Sequence, residues 1–386
     1  MLQTLAVAHY RSLHQLVVPM QRLNLVTGDN GSGKSSLYRA LRLLAETAQG
    51  GVAAALAREG GLGSALWAGP EQIDRRMRAG EVPVQGTVRR DPVSLRLGFA
   101  AAEFGYAIDL GFPVPARSMF NLEPQIKAEC IWAGPFLRSS TALVERRGAQ
   151  VRRRVGRGWD TLETSLSVFD SLFTQLADPQ RMPEVLQLRE YIRGWRFHDH
   201  FRTDSAAPAR QPTLAIRTPV LGHDGHDLAA AWQTIVEIGD AAGLAQAADD
   251  AFPGAQVGVH EHEGRLSLKF QQPGLLRPLA ATELSDGTLR YLLLIAALHT
   301  PRPPPLMVLN EPETSLHPDL LPALARLIIA ASARSQLWVV SHASRLIAAL
   351  RDDPTCHCIG LQKELSQTRV VGQGLLDAPA WYWPTR

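Results

Sequence analysis

Lys34 and Ser35 end the stretch Gly28-Asp29-Asn30-Gly31-Ser32-Gly33-Lys34-Ser35, which has the spacing G-x-x-x-x-G-K-[ST] of a phosphate-binding loop. The chemistry this suits is the holding of a polyphosphate. Its glycines let the backbone curl so that N–H groups from Asn30 through Gly31, Ser32, Gly33 and on to Ser36 turn toward phosphate oxygens. Lys34 then reaches the β- and γ-phosphates, and the Ser35 hydroxyl ligates magnesium. Such a loop must lie between a strand and a helix, because the helix N-terminus adds its partial positive charge. The flanks comply: an apolar run, Leu23 to Thr27, precedes it, and a helix-like stretch, Ser36 to Leu44, follows.

Far downstream, Leu306-Met307-Val308-Leu309-Asn310-Glu311 reads as a buried strand ending in a polar pair, the form of a Walker B motif. Glu311 is the expected base or water-orienting group for attack on a γ-phosphate, and Asn310 the magnesium-associated side chain. Asn310 stands where Asp is usual. An amide accepts a hydrogen bond from metal-bound water but brings no charge, which predicts weaker magnesium binding. Just upstream, Leu284-Ser285-Asp286-Gly287-Thr288 opens the apolar stretch Leu289 to Leu298 and offers a hydroxyl and backbone N–H groups to an anion. Two phosphate-seeking helix starts in one chain point to two subunits sharing ATP.

Taken in order, the phosphate loop, Leu284 to Thr288, Leu309 to Pro318, and the apolar strand Gln336 to Val340 running into Ser341-His342 resemble the ABC-type ATPase superfamily. Within it the chain is most similar to RecF- and SMC-like ATPases of the AAA_21 kind. The resemblance covers roughly residues 1–48 and 279–350. It implies that Ser285 and Gly287 act in trans on the γ-phosphate of a neighbouring copy, that Ser315-Leu316-His317-Pro318 is the D-loop at the dimer seam, and that His342 is the switch histidine. A strand end is also where parallel-sheet enzymes carry ligand groups, which agrees with a γ-phosphate contact for His342. A Q-loop glutamine, sensing magnesium and the attacking water, is expected at Gln175 from its setting Ser171 to Pro179, with Gln125 and Gln85 as rivals. Arg11, in the turn Tyr10-Arg11-Ser12-Leu13 between two short strands, is where similar proteins contact adenine or ribose.

The rest of the chain bounds the reading. At 386 residues, 45% hydrophobic, 20% charged and with a net charge of +3, it is an ordinary globular chain of two or three lobes. Its longest apolar run, Tyr291 to Leu298, falls short of the roughly 18 to 20 residues that span a bilayer. Met1 to Ala8 has neither a basic start nor a small-residue cleavage site, so a cytoplasmic location without membrane attachment is expected. Cys130, Cys356 and Cys358 make no disulfide framework. Neither Cys356-His357-Cys358 nor the pairs at His198-Asp199-His200, His223 to Asp227 and His260 to Glu263 converge enough ligands for zinc, since neighbours in a strand face opposite ways.

Between the phosphate loop and Leu284 no heptad repeat is sustained, which excludes a long coiled-coil arm. Gly50 to Gly69 reads as glycine-rich and mobile. Strands are expected at Val93–Ala100, Gly105–Phe112 and Gln125–Ala133, helices around Thr161–Leu176, Met182–Arg193 and Leu228–Gly239, and a hairpin around Gly264. Val144 to Arg154 reads as a hairpin carrying Arg146, Arg147, Arg152, Arg153 and Arg154, with Arg157 following; it is either a phosphate-gripping prong or a solvated one. The aromatic tail Trp381-Tyr382-Trp383 is expected to dock on the body or on a partner, and a TOPRIM nuclease domain after the ATPase is not expected.

The expected fold is therefore α/β: a P-loop NTPase with an ABC-type ATPase head, a mixed central sheet flanked by helices, an antiparallel β-subdomain and a compact inserted helical lid. The segments are 1–140 (N-terminal ATPase lobe), 141–278 (inserted lid) and 279–386 (C-terminal ATPase lobe). The expected function is binding and slow hydrolysis of ATP with Mg2+ by a homodimer that acts on DNA in repair or defence. The alternative is a nucleotide-gated scaffold that assembles an effector protein without touching DNA.

Overall fold

The structure, a computed structural model, describes residues 1–386 apart from 72, 85, 87–91, 163–164, 177, 200 and 375–376. Gln85 and His200 therefore lie outside the described residues. Two units emerge, and each is assembled from separate stretches: Met1–Gln21, Gly28–Gly194 and Ile359–Arg386 form the first, Arg22–Thr27 and Trp195–Cys358 the second. The stretch expected to form one lid, 141–278, is divided between them at Gly194.

Strands β1 (Leu2–Tyr10) and β2 (Leu13–Pro19) begin the first unit as a hairpin, and β3 (Leu23–Gly28) then leads through the phosphate loop into α1 (Lys34–Thr47). Helix α1 buries Leu37, Leu41 and Leu44, one per turn, which is the spacing of a single apolar face. Short helices α2 (Val52–Arg58), α3 (Leu62–Ala65) and α4 (Arg75–Arg78) follow. The glycine-rich 50–69 region is thus ordered by helices rather than mobile, because Leu56 and Leu62 are fully buried and anchor it.

Strands β4 (Leu95–Ala101), β5 (Phe104–Gly111), β6 (Gln125–Ala133), β7 (Ala142–Arg147), β8 (Gln150–Val155) and β9 (Gly158–Thr161) complete an eight-stranded antiparallel sheet of order β2-β1-β4-β5-β6-β7-β8-β9. Among the described residues of the expected helix over Thr161–Leu176, which exclude 163–164, one turn is helical, α5 (Leu172–Gln175), followed by α6 (Pro183–Arg193). The physical reason is Arg146. Its guanidinium takes the carbonyls of Asp170 and Ser167, both at 2.5 Å, and these oxygens would otherwise accept helical hydrogen bonds.

In the second unit β10 (Arg196–His198) begins a parallel set. After β11 (Thr213–Leu214) come α7 (Leu228–Ile238), α8 (Ala241–Ala251), the hairpin β12 (Gln256–His262) with β13 (Arg265–Gln271), and the short β14 (Leu279–Ala280). Helix α9 (Asp286–Leu298), β15 (Leu306–Asn310), α10 (Leu321–Ser332), β16 (Gln336–Val340) and α11 (Ser344–Arg351) complete it. The strands β10, β15, β16 and β3 lie parallel in that order. Parallel strands are covered on both faces, so they read as unbroken apolar runs, and β16 is buried at every position. Every residue of α9 from Leu289 to Leu298 is buried, which accounts for its lack of a polar face.

Two final strands, β17 (Cys356–Glu364) and β18 (Gln367–Val370), form a hairpin. The aromatic tail docks on the first unit: Trp381 meets Trp132 edge-on with centroids 5.6 Å apart, and Arg386 forms a paired bond to the buried Asp109 at 2.8 Å on both oxygens.

Candidate active site

The phosphate loop is built within the first unit. Gly31 and Gly33 have φ of 80° and 108°, the left-handed region that turns successive N–H groups inward. Helix α1 begins at Lys34 with no side-chain cap, so its first-turn N–H groups face the loop's hollow. The Lys34 ammonium is buried and donates to the carbonyls of Gly28 at 2.5 Å and Asp29 at 3.1 Å. Ser32 Oγ is buried with no hydrogen-bond partner, while Ser35 is exposed. A cradle of inward donors plus a stranded hydroxyl suits a phosphate.

The loop is braced by residues that motif reading overlooked. Thr368 of β18 donates to the Ser32 carbonyl at 2.8 Å, and its hydroxyl meets that of Ser12 at 2.8 Å. This chain of contacts sets the Arg11 turn beside the phosphate loop. Arg11 itself, at φ 49°, is engaged with Glu59, its Nη2 at 2.8 Å and Nε at 3.2 Å from Oε2.

Gln175 is not brought to the same place. Its Oε1 accepts from Ser167 N at 3.1 Å and its Nε2 donates to Asp170 at 3.0 Å. The adjacent Thr174 packs against Gly50, three residues beyond the last residue of α1. The 14 residues of α1 span about 21 Å, so the loop bearing Gln175 sits at the opposite end of that helix from Lys34. Gln125, at the start of β6, accepts from Lys127 Nζ at 2.9 Å.

Within the second unit the parallel register levels the strand ends: Asn310 pairs with Val340, and Val340 with Val26. Glu311 leaves β15 at φ 49°, pinned by its N–H to the Val340 carbonyl at 2.8 Å. Its carboxylate lies 3.7 Å from His342 Nδ1, so the expected base and switch histidine do meet. His342 also meets Glu313, a residue outside the expected motif set. It is nearly fully buried, and its Oε1 accepts from Ser341 Oγ at 2.7 Å, His342 N at 3.0 Å and Ala343 N at 3.2 Å, with His342 Nδ1 3.5 Å away. Arg290 of α9 lies close beneath, its Nη2 3.4 Å from the Glu311 carbonyl. Burial pulls the basicity of Arg290 down, against the upward pull of Glu313 and Glu311. The second acid of Glu311-Pro312-Glu313 was the available signal for Glu313.

At the Leu284–Thr288 turn, Ser285 is the N-cap of α9, with its Oγ accepting from Thr288 N at 3.2 Å. Gly287 has no room for a side chain, since a Cβ there would lie 2.8 Å from the Ser315 carbonyl. The turn and the loop Ser315–Leu320 line one open groove of about 620 Å³. Ser285, Ser315 and His317 are exposed in it. Chemically, the first unit offers a phosphate cradle, and the second offers a carboxylate–imidazole pair and an outward-facing anion turn. Ser35 and Asn310 carry the oxygen donors a hard cation prefers. Among the described residues no group of three or more His, Cys, Asp or Glu could hold a metal.

The AAA_21 family, described as "AAA domain, putative AbiEii toxin, Type IV TA system", matches residues 23–348, from the strand before the phosphate loop to beyond His342. Among solved structures, the SmcHead bound to the C-winged helix domain of ScpA is similar over 98% of this chain and 99% of that one, at 13% identity and a TM-score of 0.51. The SMC head domain from Thermotoga maritima is similar over 97% and 99%, at 14% identity and a TM-score of 0.48. No curated protein matches the sequence. At such identity the first likeness shows the fold alone, that of an SMC-type head. With the family matching most of the sequence and the phosphate loop built as its spacing requires, the chain belongs to the AAA_21 family of ATPases.

Proposed function

We propose that this ATPase binds Mg-ATP and hydrolyses it slowly, when two copies close head to tail around two nucleotides. The reading is carried by the open groove shared by Ser285, Gly287 and the Ser315–Leu320 loop. A helix start equipped to bind an anion, and turned outward, suits a ligand carried by a neighbour. In the closed dimer, Lys34 and the N–H groups from Asn30 to Ser36 take the phosphate charge, and Ser35 with Asn310 hold magnesium, which supplies charge neutralisation on the phosphates. Glu311 orders a water and takes its proton as the water oxygen bonds to the γ-phosphorus and the bond to the ADP oxygen breaks. His342, 3.7 Å from Glu311, contacts the γ-phosphate. Ser285 and Gly287 of the second copy cap it. Arg11 serves the ribose or adenine. A sensing role for Gln175 requires its side chain to give up Ser167 and Asp170 and the 167–175 loop to leave the end of α1 remote from Lys34.

The target proposed for the closed dimer is DNA, in repair or in defence, in the cytoplasm; no helix among the described residues is long and apolar enough to cross a membrane. A second reading, a nucleotide-gated scaffold for an effector protein, is favoured by one observation. Four of the six clustered arginines lie beside carboxylates: Arg146 at Glu129, Arg147 and Arg152 both at Glu145, and Arg153 at Asp160. The similar SmcHead was also captured with a protein partner, the winged-helix domain of ScpA.

The test is gel filtration of Glu311→Gln with ATP, beside turnover of the unaltered protein with and without duplex DNA. An ATP-dependent dimer is expected, and stimulation by DNA selects the first reading over the scaffold. A Glu311→Gln chain that stays monomeric in ATP, together with a Ser285→Ala chain that turns over normally, overturns the shared pocket.

A further inference from the structure

We infer that Arg210 is a positioning residue for the Leu284–Thr288 turn, holding Ser285 and Gly287 in the attitude in which they meet a neighbour's nucleotide. The inference rests on the shared-pocket reading above and adds a residue to it. Arg210 ends a short 3-10 turn, Pro208–Arg210, and its side chain is 5% exposed. Nε donates to the Thr203 carbonyl at 3.0 Å and that of Asp204 at 3.1 Å. Nη1 donates to the carbonyls of Ala281 and Leu284, both at 2.8 Å, and Thr282 at 3.3 Å. Nη2 donates to Thr203 O at 2.7 Å and to Asp286 Oδ1 at 2.8 Å. Its grip therefore closes on both sides of Ser285: the carbonyl of the residue before it and the carboxylate of the residue after it.

A core filler would need none of this. Removing a guanidinium from water is costly, and only several well-aimed acceptors offset it. The planar fork lets one side chain hold two backbone segments at fixed angles, which an ammonium on a flexible stem does not. The first segment, Thr203–Asp204, lies five residues beyond β10, the strand that pairs His198 with Leu309 of β15. The second, Ala281–Asp286, is a 3-10 turn running into the N-cap of α9. Within the second unit, Arg210 thus fixes the turn to the loop that leaves the sheet edge beside the strand ending at Asn310 and Glu311.

The test uses Arg210→Lys and Arg210→Met in the full chain, with three readouts. Nucleotide binding by the isolated chain depends on the phosphate loop, so affinity for a nonhydrolysable ATP analogue should stay within about twofold of the unaltered protein. Turnover should fall roughly 10- to 100-fold in Arg210→Met, as expected for a small misplacement of a group that acts in the reaction, and less in Arg210→Lys. The third readout separates positioning from folding. Mixed dimers of Arg210→Met with Lys34→Ala contain one pocket made of an intact loop and an intact turn, so mixing the two impaired chains should restore up to about a quarter of normal turnover. Ser285→Ala mixed with Lys34→Ala is the reference. If that reference pair complements and the Arg210 pair does not, or if Arg210→Met turns over normally, the role of Arg210 is overturned while the shared pocket stands. If neither pair complements, the shared pocket itself falls. Should Arg210→Met fail to fold, Arg210→Lys is carried through the same mixing, and full activity of that variant alone also overturns the inference.

Discussion

The Thr368 hydroxyl donates to the Ser32 carbonyl at 2.8 Å and in that position occupies the space where a side chain on Gly33 would go. One threonine from a hairpin more than 330 residues downstream thereby fixes the curl of the phosphate loop. Gly33 is required twice over, by its φ of 108° and by this contact. Gly33→Ala should weaken nucleotide binding at least tenfold, equivalent to about 1.4 kcal/mol. Adding Thr368→Gly removes the collision but not the backbone strain, so the double variant should recover only part of the loss. Thr368→Val, which keeps the shape and deletes the hydroxyl's bonds to Ser32 and Ser12, should lower stability by about 1–2 kcal/mol. Calorimetric titration with a nonhydrolysable ATP analogue and urea melts measure the two effects.

Glu313 should matter to turnover as much as its half-buried neighbour Glu311. One oxygen of this buried carboxylate collects Ser341 Oγ and the N–H groups of His342 and Ala343, which fixes the backbone from which the imidazole projects. Glu313→Gln keeps the acceptor but adds donors that need partners, at a cost of about 1–3 kcal/mol in stability. Turnover should drop roughly 10- to 100-fold with little change in KM, since the loop that binds nucleotide is untouched. A rise in KM with unchanged kcat would contradict this placement of Glu313.

Acid should unfold the second unit partly through His198. Its ring is fully buried against Phe201, with centroids 5.1 Å apart, and burial, with His223 and Arg196 adding to it, depresses its pKa to about 3. The unfolded chain binds this proton near pH 6.5 and the folded chain does not. Stability is therefore complete above about pH 6.5 and declines as pH falls, by on the order of 1 kcal/mol per pH unit, toward the folded value. His198→Phe retains the ring and removes the titration. Urea melts at pH 7.5, 6.5 and 5.5 should show a shallower loss in the variant than in the unaltered protein.

The nucleotide loop, the strand ending at Asn310, the turn at Ser285 and the strand before His342 were legible because each is a local pattern: glycine spacing, an unbroken apolar run, a cap before a helix. Strands β4 to β8 and the helices α6 and α7 were legible for the same reason. What stayed hidden depends on contacts distant in sequence. Thr368 braces a loop 336 residues away, and Arg210 grips a turn 76 residues downstream. The helix expected over 161–176 fails because Arg146, 24 residues before Asp170, takes the carbonyls it needs. The arginine cluster carries the same lesson: the hairpin forms where expected, with Arg147 opposite Gln150, but sequence spacing does not reveal which guanidinium groups already have carboxylates.

That division of the arginines yields a direct contest between the DNA and scaffold readings. Arg154, half-buried, lies over the Trp159 ring and Arg157 is exposed in the β8–β9 turn, and among the described residues neither meets a carboxylate. Arg146 is the opposite case, sealed against Glu129 with neither side chain exposed. If closure grips DNA through this hairpin, replacing Arg154 and Arg157 by alanine should weaken duplex binding and make the slope of log K against log salt about 2 units shallower. ATP-driven dimerisation should be unchanged, because neither residue belongs to the phosphate loop or the groove at Ser285. Arg146→Ala should instead destabilise the first unit by about 3–5 kcal/mol, because the buried Glu129 carboxylate loses its counter-ion, whatever the target is. A double variant that binds DNA as before, with the same salt slope, would remove the hairpin from the DNA reading and leave the effector scaffold as the better account of these charges.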